Sequence, residues 1–110
     1  NIQGTEDGPV PDVLEVVAEP NRRSILTLLL DGERSVNELV AQLPLSQPSV
    51  SKHLRVLREA GLVSVRASTQ QRLYRLRPGP LREIDDWLTP FRAVWDERLD
   101  ALEAHLDEMP

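Results

Sequence analysis

Residues 47–58 combine helical periodicity with a dense set of hydrogen-bonding side chains. Val50, Leu54 and Leu57 recur at a spacing of three or four residues, which predicts a helix with one buried side. The polar side carries Gln47, Ser49, Ser51, Lys52, Arg55 and Arg58. Hydroxyl and amide groups can bond to base edges or phosphates, and Lys and Arg can bond to guanine edges or phosphate oxygens. A solvated helix face has a similar composition, so the neighbouring elements must decide between the two interpretations.

Two helices are predicted near the start of the chain. The first contains Val13 and ends before Pro20, and Pro11 is tolerated in its first turn. Asn21 is a good N-cap for the second, which ends at the Asp-Gly pair at 31–32. The second helix is apolar on most sides, so we expect it at the centre of the core. Its apolar residues are Ile25, Leu26, Leu28, Leu29 and Leu30.

Capping signals place a third helix immediately before the polar one. Ser35 and Glu38 have the S-x-x-E spacing of a capping box, in which each side chain bonds to the other residue's backbone N–H. Pro44 ends this helix, and Ser46 can cap the next one. Gly61 follows the polar helix, at a position where glycine commonly ends a helix in the left-handed conformation. These signals predict a helix, a tight turn and a second helix.

The periodicity then changes from helical to alternating, which predicts a β-hairpin. The strands are 62–66 and 72–76, and a polar connection, 67–71, forms an exposed tip. Hydrogen-bond donors near the tip are Arg66, Gln70, Gln71 and Arg72. We therefore predict a mainly α fold with a small antiparallel hairpin, in a winged helix-turn-helix arrangement. In such proteins one helix enters the major groove of DNA and the hairpin reaches the adjacent backbone or minor groove.

The end of the chain is predicted to be helical beyond the Pro-Gly-Pro breaker at 78–80. Thr89-Pro90 should kink this segment or divide it into two helices, with Thr89 capping the second. An apolar stripe comprises Leu81, Ile84, Leu88, Phe91, Trp95, Leu99, Leu102, Leu106 and Met109. The cluster of Trp87, Phe91 and Trp95 could be monomer core, an interface between two copies or the lining of an effector pocket. An interface is favoured, because the stripe is longer than the rest of the domain can cover.

Charge is distributed unevenly along the 110 residues. Asn21–Arg77 contains ten Lys/Arg and four Asp/Glu, a balance of +6, whereas the remainder has three and fourteen, a balance of −11. A local basic patch favours phosphate binding despite the net charge of −5.

One domain is expected, with a flexible arm at 1–10, a DNA-binding core at 11–77 and a helical dimerisation segment at 78–110.

Composition excludes several classes of protein. The absence of cysteine rules out disulfides, thiolate zinc sites, iron–sulfur clusters and cysteine nucleophiles, and it fits a cytoplasmic location. No apolar run is long enough to span a membrane, so no membrane partner is expected. Motifs of hydrolases, metalloproteases and phosphate-binding loops are missing, and the paired acids at 85–86 and 96–97 fit a solvated helix face. We therefore do not expect an enzyme.

Two stretches resemble the arsenic-repressor (ArsR) family of bacterial winged-helix regulators. They are EPNRRSIL at 19–26 and LSQPSVSKHLRVLREAGLV at 45–63, and the similarity extends from Asp12 to Leu76. The resemblance implies a homodimer on an imperfect palindrome in a promoter, which represses by blocking polymerase. It also implies that Arg72 lies in the wing and that the recognition helix carries Ser46, Gln47, Ser49, Ser51, Lys52, His53 and Arg55. Gln47, Ser49 and Lys52 are the best candidates for reading bases. His53 could equally face a phosphate or pack at the helix edge.

The resemblance also places the dimer interface on the first and last helices. The residues expected there are Val13, Leu14, Val17, Ile84, Trp87, Leu88, Phe91, Trp95, Leu99, Leu102 and Leu106. The metal sites of the family do not carry over. Val40 and Gln42 occupy the positions of its third-helix cysteines, and Arg92 and Val94 replace an Asp and a His on the last helix, although His105 and Glu108 match that site's second half. No metal or other cofactor is expected, and the effector is unknown.

These observations predict a sequence-specific regulator that binds double-stranded DNA, most simply a dimeric repressor. A protein-interaction module is the alternative from another class, in which the winged helix is a scaffold and the acidic last helix binds a partner protein. A lesser alternative keeps DNA binding but makes the protein an activator.

Overall fold

The structure, a computed structural model, describes residues 12–107. The predictions for the arm at 1–10, Pro11, Glu108 and Met109 lie outside this range. The described residues form these α-helices and strands: α1 (Val13–Ala18), α2 (Pro20–Leu28), β1 (Arg34–Ser35), α3 (Val36–Gln42), α4 (Gln47–Glu59), β2 (Val63–Ser68), β3 (Gln71–Leu76) and α5 (Arg82–Asp107). Short 3-10 turns lie at Leu29–Asp31 and Gly79–Leu81. The predicted fold class, mainly helical with a small antiparallel sheet, is confirmed.

Helix α2 begins two residues earlier than the sequence predicted. Glu19, not Asn21, is the N-cap, and its Oε1 accepts the backbone N–H of Asn21 at 2.8 Å. Pro20 occupies the first helical position, where its missing N–H costs nothing and its fixed φ favours the helix. The prediction of Asn21 as the cap was wrong, because the helix already begins at Pro20, which places Asn21 inside the first turn with its N–H bonded to Glu19.

The helix-turn-helix unit has the predicted caps. Ser35 and Glu38 form the complete capping box at the start of α3, with hydrogen bonds of 2.8 and 3.2 Å. Ser46 caps α4, and its hydroxyl accepts the N–H of Ser49 at 3.3 Å. Gly61 has φ of +77°, a left-handed conformation that L side chains adopt only with strain. The start and the end of α4 are therefore determined by local sequence.

The sheet has three strands in the order β1-β3-β2, all antiparallel. The sequence predicted only the hairpin and a five-residue tip, but the β2–β3 pairing continues to Ser68 opposite Gln71, which leaves Thr69 and Gln70 as the turn. Polar residues form these outer rungs, so apolar alternation could not reveal them. Strand β1 has two residues, Arg34 and Ser35, too few for any periodicity to appear.

The core lies between the helices and one face of the sheet. Its fully buried members are Ile25, Leu39, Val50, Leu54, Leu57 and Leu62, three of which come from α4. Leu28 is only partly buried and Leu30 is 70% exposed, so α2 is less centrally placed than predicted. The α-helix ends at Leu28 and continues as a 3-10 turn, which changes the direction of the side chains that follow.

Helix α5 runs without interruption from Arg82 to Asp107 and contains Pro90 in its interior. The sequence predicted either a kink or a division at Thr89-Pro90; the division was wrong, and Thr89 does not cap a new helix. The Thr89 hydroxyl instead donates to the carbonyl of Asp85 at 3.4 Å. Ile84 and Leu81 pack against the core, whereas the later turns of α5 are exposed. Among the described residues, no helix is long and apolar enough to cross a membrane.

Candidate nucleic-acid interface

Helix α4 presents a polar face whose direction is determined by its buried side. Val50, Leu54 and Leu57 are each 0% exposed, so the helix is tightly packed against the core on that side and cannot rotate without opening it. The side chains predicted for the outer face are exposed: Gln47, Ser51, Lys52, Arg55 and Arg58. Ser46 and Ser49 lie at the start of the helix, and their hydroxyl oxygens are 3.1 Å apart.

A groove of about 590 Å³ separates α4 from strand β3. Its cationic lining is Lys52, Arg55 and Arg58 from α4, and Arg72 from the wing, the β2–β3 hairpin. Ser51 and Tyr74 add hydroxyl groups to the same lining. Within residues 12–107 none of the four cations takes part in a salt bridge. The groove therefore has a concentrated positive charge together with neutral hydrogen-bonding groups, as phosphate binding requires.

A smaller cleft, of about 230 Å³, lies between the wing tip and the start of α4. It brings together the predicted residues Gln47, Gln70, Gln71 and Arg72. Asn37, in the first turn of α3, lines the same cleft and was not predicted. No signal in the sequence singled it out, because its place depends on the packing of α3 beside the wing. The amide groups of the cleft can both donate and accept hydrogen bonds.

Arg66 lies on the other face of the sheet. Residues paired across two strands share a face and successive residues alternate, so Arg66 and Leu73 point away from the face that carries Arg72 and Tyr74. Arg66 forms a bidentate ion pair with Glu33, in which its Nε and Nη2 lie 2.8 and 2.9 Å from the two carboxylate oxygens. The hydrogen bond from Arg66 lowers the pKa of Glu33, and the same bond raises the pKa of Arg66. The sequence grouped Arg66 with the wing-tip donors, but the structure does not bring it to the groove.

His53 is turned away from the polar face of α4. Only 16% of its side chain is exposed, and it lies between two residues of the α1–α2 corner. Its Nδ1 is 3.3 Å from Nε of Arg22, and its Nε2 is 3.3 Å from Oε2 of Glu19. Of the two interpretations left open by the sequence, the structure supports packing at the helix edge.

The residues predicted for a dimer interface divide into two groups. Val13 is buried within the single chain, and Val17 and Ile84 pack against the same core, so these three contribute little to an outer surface. Leu88 is partly buried. The remaining predicted residues are exposed, between 43% and 61%: Leu14, Trp87, Phe91, Trp95, Leu99, Leu102 and Leu106. Val94, which the sequence analysis missed, is 46% exposed.

Within residues 12–107 no group of three or more His, Asp or Glu side chains could hold a metal ion.

Helices α3 and α4 with the wing beside them define a winged helix-turn-helix domain. Residues 19–65 match the model of the family described as "Bacterial regulatory protein, arsR family". The transcriptional activator HlyU of Vibrio cholerae is 42% identical over 78 residues, which are 69% of this chain and 72% of that protein. The biofilm growth-associated repressor of Xylella fastidiosa is 40% identical over 67 residues, 61% of this chain.

A solved structure of a similar protein supports the same family assignment. The crystal structure of a possible transcriptional regulator for arsenical resistance has 44% identity and a TM-score of 0.67, and the match covers 92% of this chain and 100% of that one. The chain belongs to the arsR family of bacterial regulatory proteins. It spans 59% of the length of the Xylella repressor. The relatives' names describe transcriptional regulators, which are not enzymes, in agreement with the sequence prediction.

Proposed function

We propose that this protein is a sequence-specific regulator of transcription that binds double-stranded DNA. The observation that carries the proposal is the groove between α4 and β3, in which four cations without salt-bridge partners in residues 12–107 surround hydroxyl groups. The names of the relatives are those of transcriptional regulators. Since its target would be bacterial promoter DNA, we place the protein in the cytoplasm.

In the proposed complex α4 lies in the major groove and the wing follows the adjacent backbone. Arg55 and Arg58 contact phosphates at the groove wall, and Arg72 reaches the next backbone segment from the wing. Most of the affinity then comes from release of counterions, whereas sequence is read by Gln47 and Lys52, with Ser49 beside them at the start of the helix. Arg66 takes no part, because Glu33 neutralises it on the other face of the sheet.

We also propose that two copies of the chain associate through α5. The helix carries an exposed apolar stripe over most of its length, and at 1.5 Å per residue its 26 residues extend about 39 Å. Exposed tryptophan, phenylalanine and leucine side chains in a continuous stripe mark an interaction surface. A second copy is the simplest occupant, because a two-fold dimer presents two recognition helices to a palindrome. In this organisation 11–77 forms the DNA-binding core and 78–110 the dimerisation segment.

Repression is the proposed outcome of binding. A dimer on a promoter excludes polymerase, and the relative from Xylella fastidiosa is named a repressor. The Vibrio cholerae relative is named an activator. We therefore propose that the position of the operator relative to the promoter decides whether binding represses or activates transcription.

Salt-dependent binding tests the role of the groove. DNA fragments selected from a genomic library are titrated with the wild type, with Lys52→Ala/Arg55→Ala and with Arg77→Ala/Arg82→Ala. The control removes the same charge from exposed positions outside the groove. We expect the groove variant to bind at least tenfold more weakly, and its slope of log K against log salt to fall by about 0.9 for each phosphate that it no longer neutralises. The control should stay within about twofold of the wild type. Equally weak binding by both variants would contradict the proposed site.

A further inference from the structure

A polar cluster joins the recognition helix to the first two helices on the side of α4 that faces away from the groove. His53 of α4 lies between Glu19, the N-cap of α2, and Arg22 in the first turn of α2. Arg22 extends further, because its Nη1 donates to the carbonyl of Val16 in α1 at 3.3 Å. Through Arg22, the imidazole of α4 is therefore linked to α1 as well as to α2.

The contacts define which ring nitrogen carries the proton. Nε of Arg22 is always a donor, so Nδ1 of His53, 3.3 Å away, must accept and be unprotonated. The proton of the neutral ring then lies on Nε2, which faces Oε2 of Glu19 at 3.3 Å. That oxygen is buried and forms no hydrogen bond to any residue of 12–107. The nearby Nε2–H group therefore stabilises its negative charge by electrostatic attraction. Oε1 of the same carboxylate caps α2.

The cluster lies between the two surfaces that the proposed function uses. On one side is α4, whose outer face lines the groove. On the other is α1, which packs against α5, the helix of the proposed dimer. The apolar core determines which face of α4 is buried, but dispersion contacts are not directional, so they define the angle between α4 and α1 less sharply than hydrogen bonds do. Hydrogen bonds prefer a narrow range of directions and lengths, so the bonds from Arg22 to His53 and to the Val16 carbonyl restrict that angle.

We propose that Glu19 and Arg22 act through His53 to set the orientation of the recognition helix relative to the dimer layer, and so determine the spacing of half-sites that the dimer accepts. This inference rests on the proposed function. Neither Glu19 nor Arg22 lines the groove, so in the proposed complex both act as positioning residues. In a dimer, a change in the angle of α4 displaces both recognition helices. The optimal distance between half-sites is therefore the quantity most sensitive to the cluster.

Glu19→Gln isolates this role with almost no change in size. The Gln carbonyl can still cap α2, but its NH₂ group then faces the Nε2 proton of His53, and two donors repel. If the ring moves its proton to Nδ1, that proton meets the Nε donor of Arg22 instead. Either arrangement therefore breaks one of the two interactions of the ring. Arg22→Lys is the second variant, because it keeps the charge and removes the Nε donor. Glu15→Gln, on the exposed side of α1, is the control with the same charge change.

The measurement is affinity for a series of palindromes whose central spacer is lengthened or shortened by one or two base pairs. Each base pair moves a half-site by about 3.4 Å and rotates it by about 34°. We expect the wild type and Glu15→Gln to prefer one spacing sharply. Glu19→Gln and Arg22→Lys should bind the palindrome with that spacing about tenfold more weakly than the wild type does. They should bind the palindromes with other spacings nearly as well as the wild type, so the plot of affinity against spacing flattens or shifts. Thermal unfolding of each variant monitors folding.

Two other results separate the inference from the proposed function. Uniform loss of affinity at every spacing, or an unchanged profile in both variants, would overturn the positioning role and leave DNA binding intact. Failure of the wild type to bind any member of the series, or any selected DNA, would overturn the proposed function and the inference together.

Discussion

Two arginines on opposite faces of the wing, Arg72 and Arg66, are in contrasting states. Arg72, on the face that borders α4, shares the groove with Lys52, Arg55 and Arg58, and none of these has a salt-bridge partner in residues 12–107. Arg66, on the opposite face, is held by Glu33. An uncompensated cation can exchange water and counterions for phosphate at low cost, whereas a paired one must first give up its carboxylate. The difference predicts that Arg72, and not Arg66, contacts DNA.

The Glu33–Arg66 ion pair should make stability depend on pH in a specific range. Arg66 lowers the pKa of Glu33 in the folded protein below its ordinary value of 4.5. The folded state therefore binds this proton less readily than the unfolded chain, and the pair stabilises the fold at pH values above 4.5. That contribution is lost as the pH falls through the lowered pKa. We expect a small effect, because the pair is exposed to solvent.

The measurement is the melting temperature of the wild type and of Glu33→Gln between neutral pH and strong acid. The wild type should melt higher at neutral pH, and the difference should shrink as the pH falls below 4.5. In the Arg66→Gln background the same substitution should have a much smaller pH-dependent effect, because only the weaker attraction of Arg75 then lowers the pKa of Glu33. A difference that grows in acid would contradict the assignment.

At the level of elements, capping residues determine where the helices of the binding unit begin. The capping box of α3 also holds β1, because Ser35 is both the N-cap and a strand residue paired with Leu73 of the wing. The box thus links the start of α3 to the hairpin. A change at Ser35 should affect the wing as well as the helix.

Ser35→Ala removes the acceptor for the N–H of Glu38 in a buried setting. We expect it to lower the free energy of unfolding by about 1–2 kcal/mol, the usual cost of losing a Ser cap. Ser51→Ala, on the exposed face of α4, should change it by less than about 0.5 kcal/mol. Denaturant unfolding of the two variants gives both numbers. Equal stabilities would mean that the box contributes nothing.

Features with a local cause could be predicted from the sequence. The capping box, the Ser46 cap, the left-handed Gly61 and the buried stripe of α4 each depend on residues within one turn of each other, and all four were found. The predicted groove residues followed from the same periodicity, and most of them lie on one surface.

The features that the sequence did not reveal depend mostly on contacts between distant parts of the chain. Arg66 was assigned to the DNA-facing group because nothing near it in sequence reveals the ion pair with Glu33, 33 residues away. His53 could not be resolved because its partners lie on α2. The short strand β1 exists only because β3 pairs with it. The continuity of α5 through Pro90 contradicts only the predicted division, because the remaining hydrogen bonds of a 26-residue helix outweigh the one that proline removes.

At the scale of the whole molecule, the exposed stripe on α5 should hold two copies together. Phe91→Asp/Trp95→Asp places charges in the stripe, where desolvation would be costly. We expect this variant to be monomeric by light scattering under conditions in which the wild type is a dimer. Leu30→Asp, at an apolar position that is 70% exposed and distant in sequence from α5, should remain dimeric. A wild type that is monomeric at high concentration would refute the interface.

The most direct test of the central claim is a footprint on promoter DNA, beginning with the region upstream of the protein's own gene. The α4–wing surface predicts two protected segments related by inverted symmetry, with centres about one helical turn apart, or a multiple of it. Protection should disappear with Lys52→Ala/Arg55→Ala and persist with Arg77→Ala/Arg82→Ala. Absence of protection on every promoter of the genome at low salt, or protection that survives removal of the Lys52 and Arg55 side chains, would contradict the claim that this surface binds DNA.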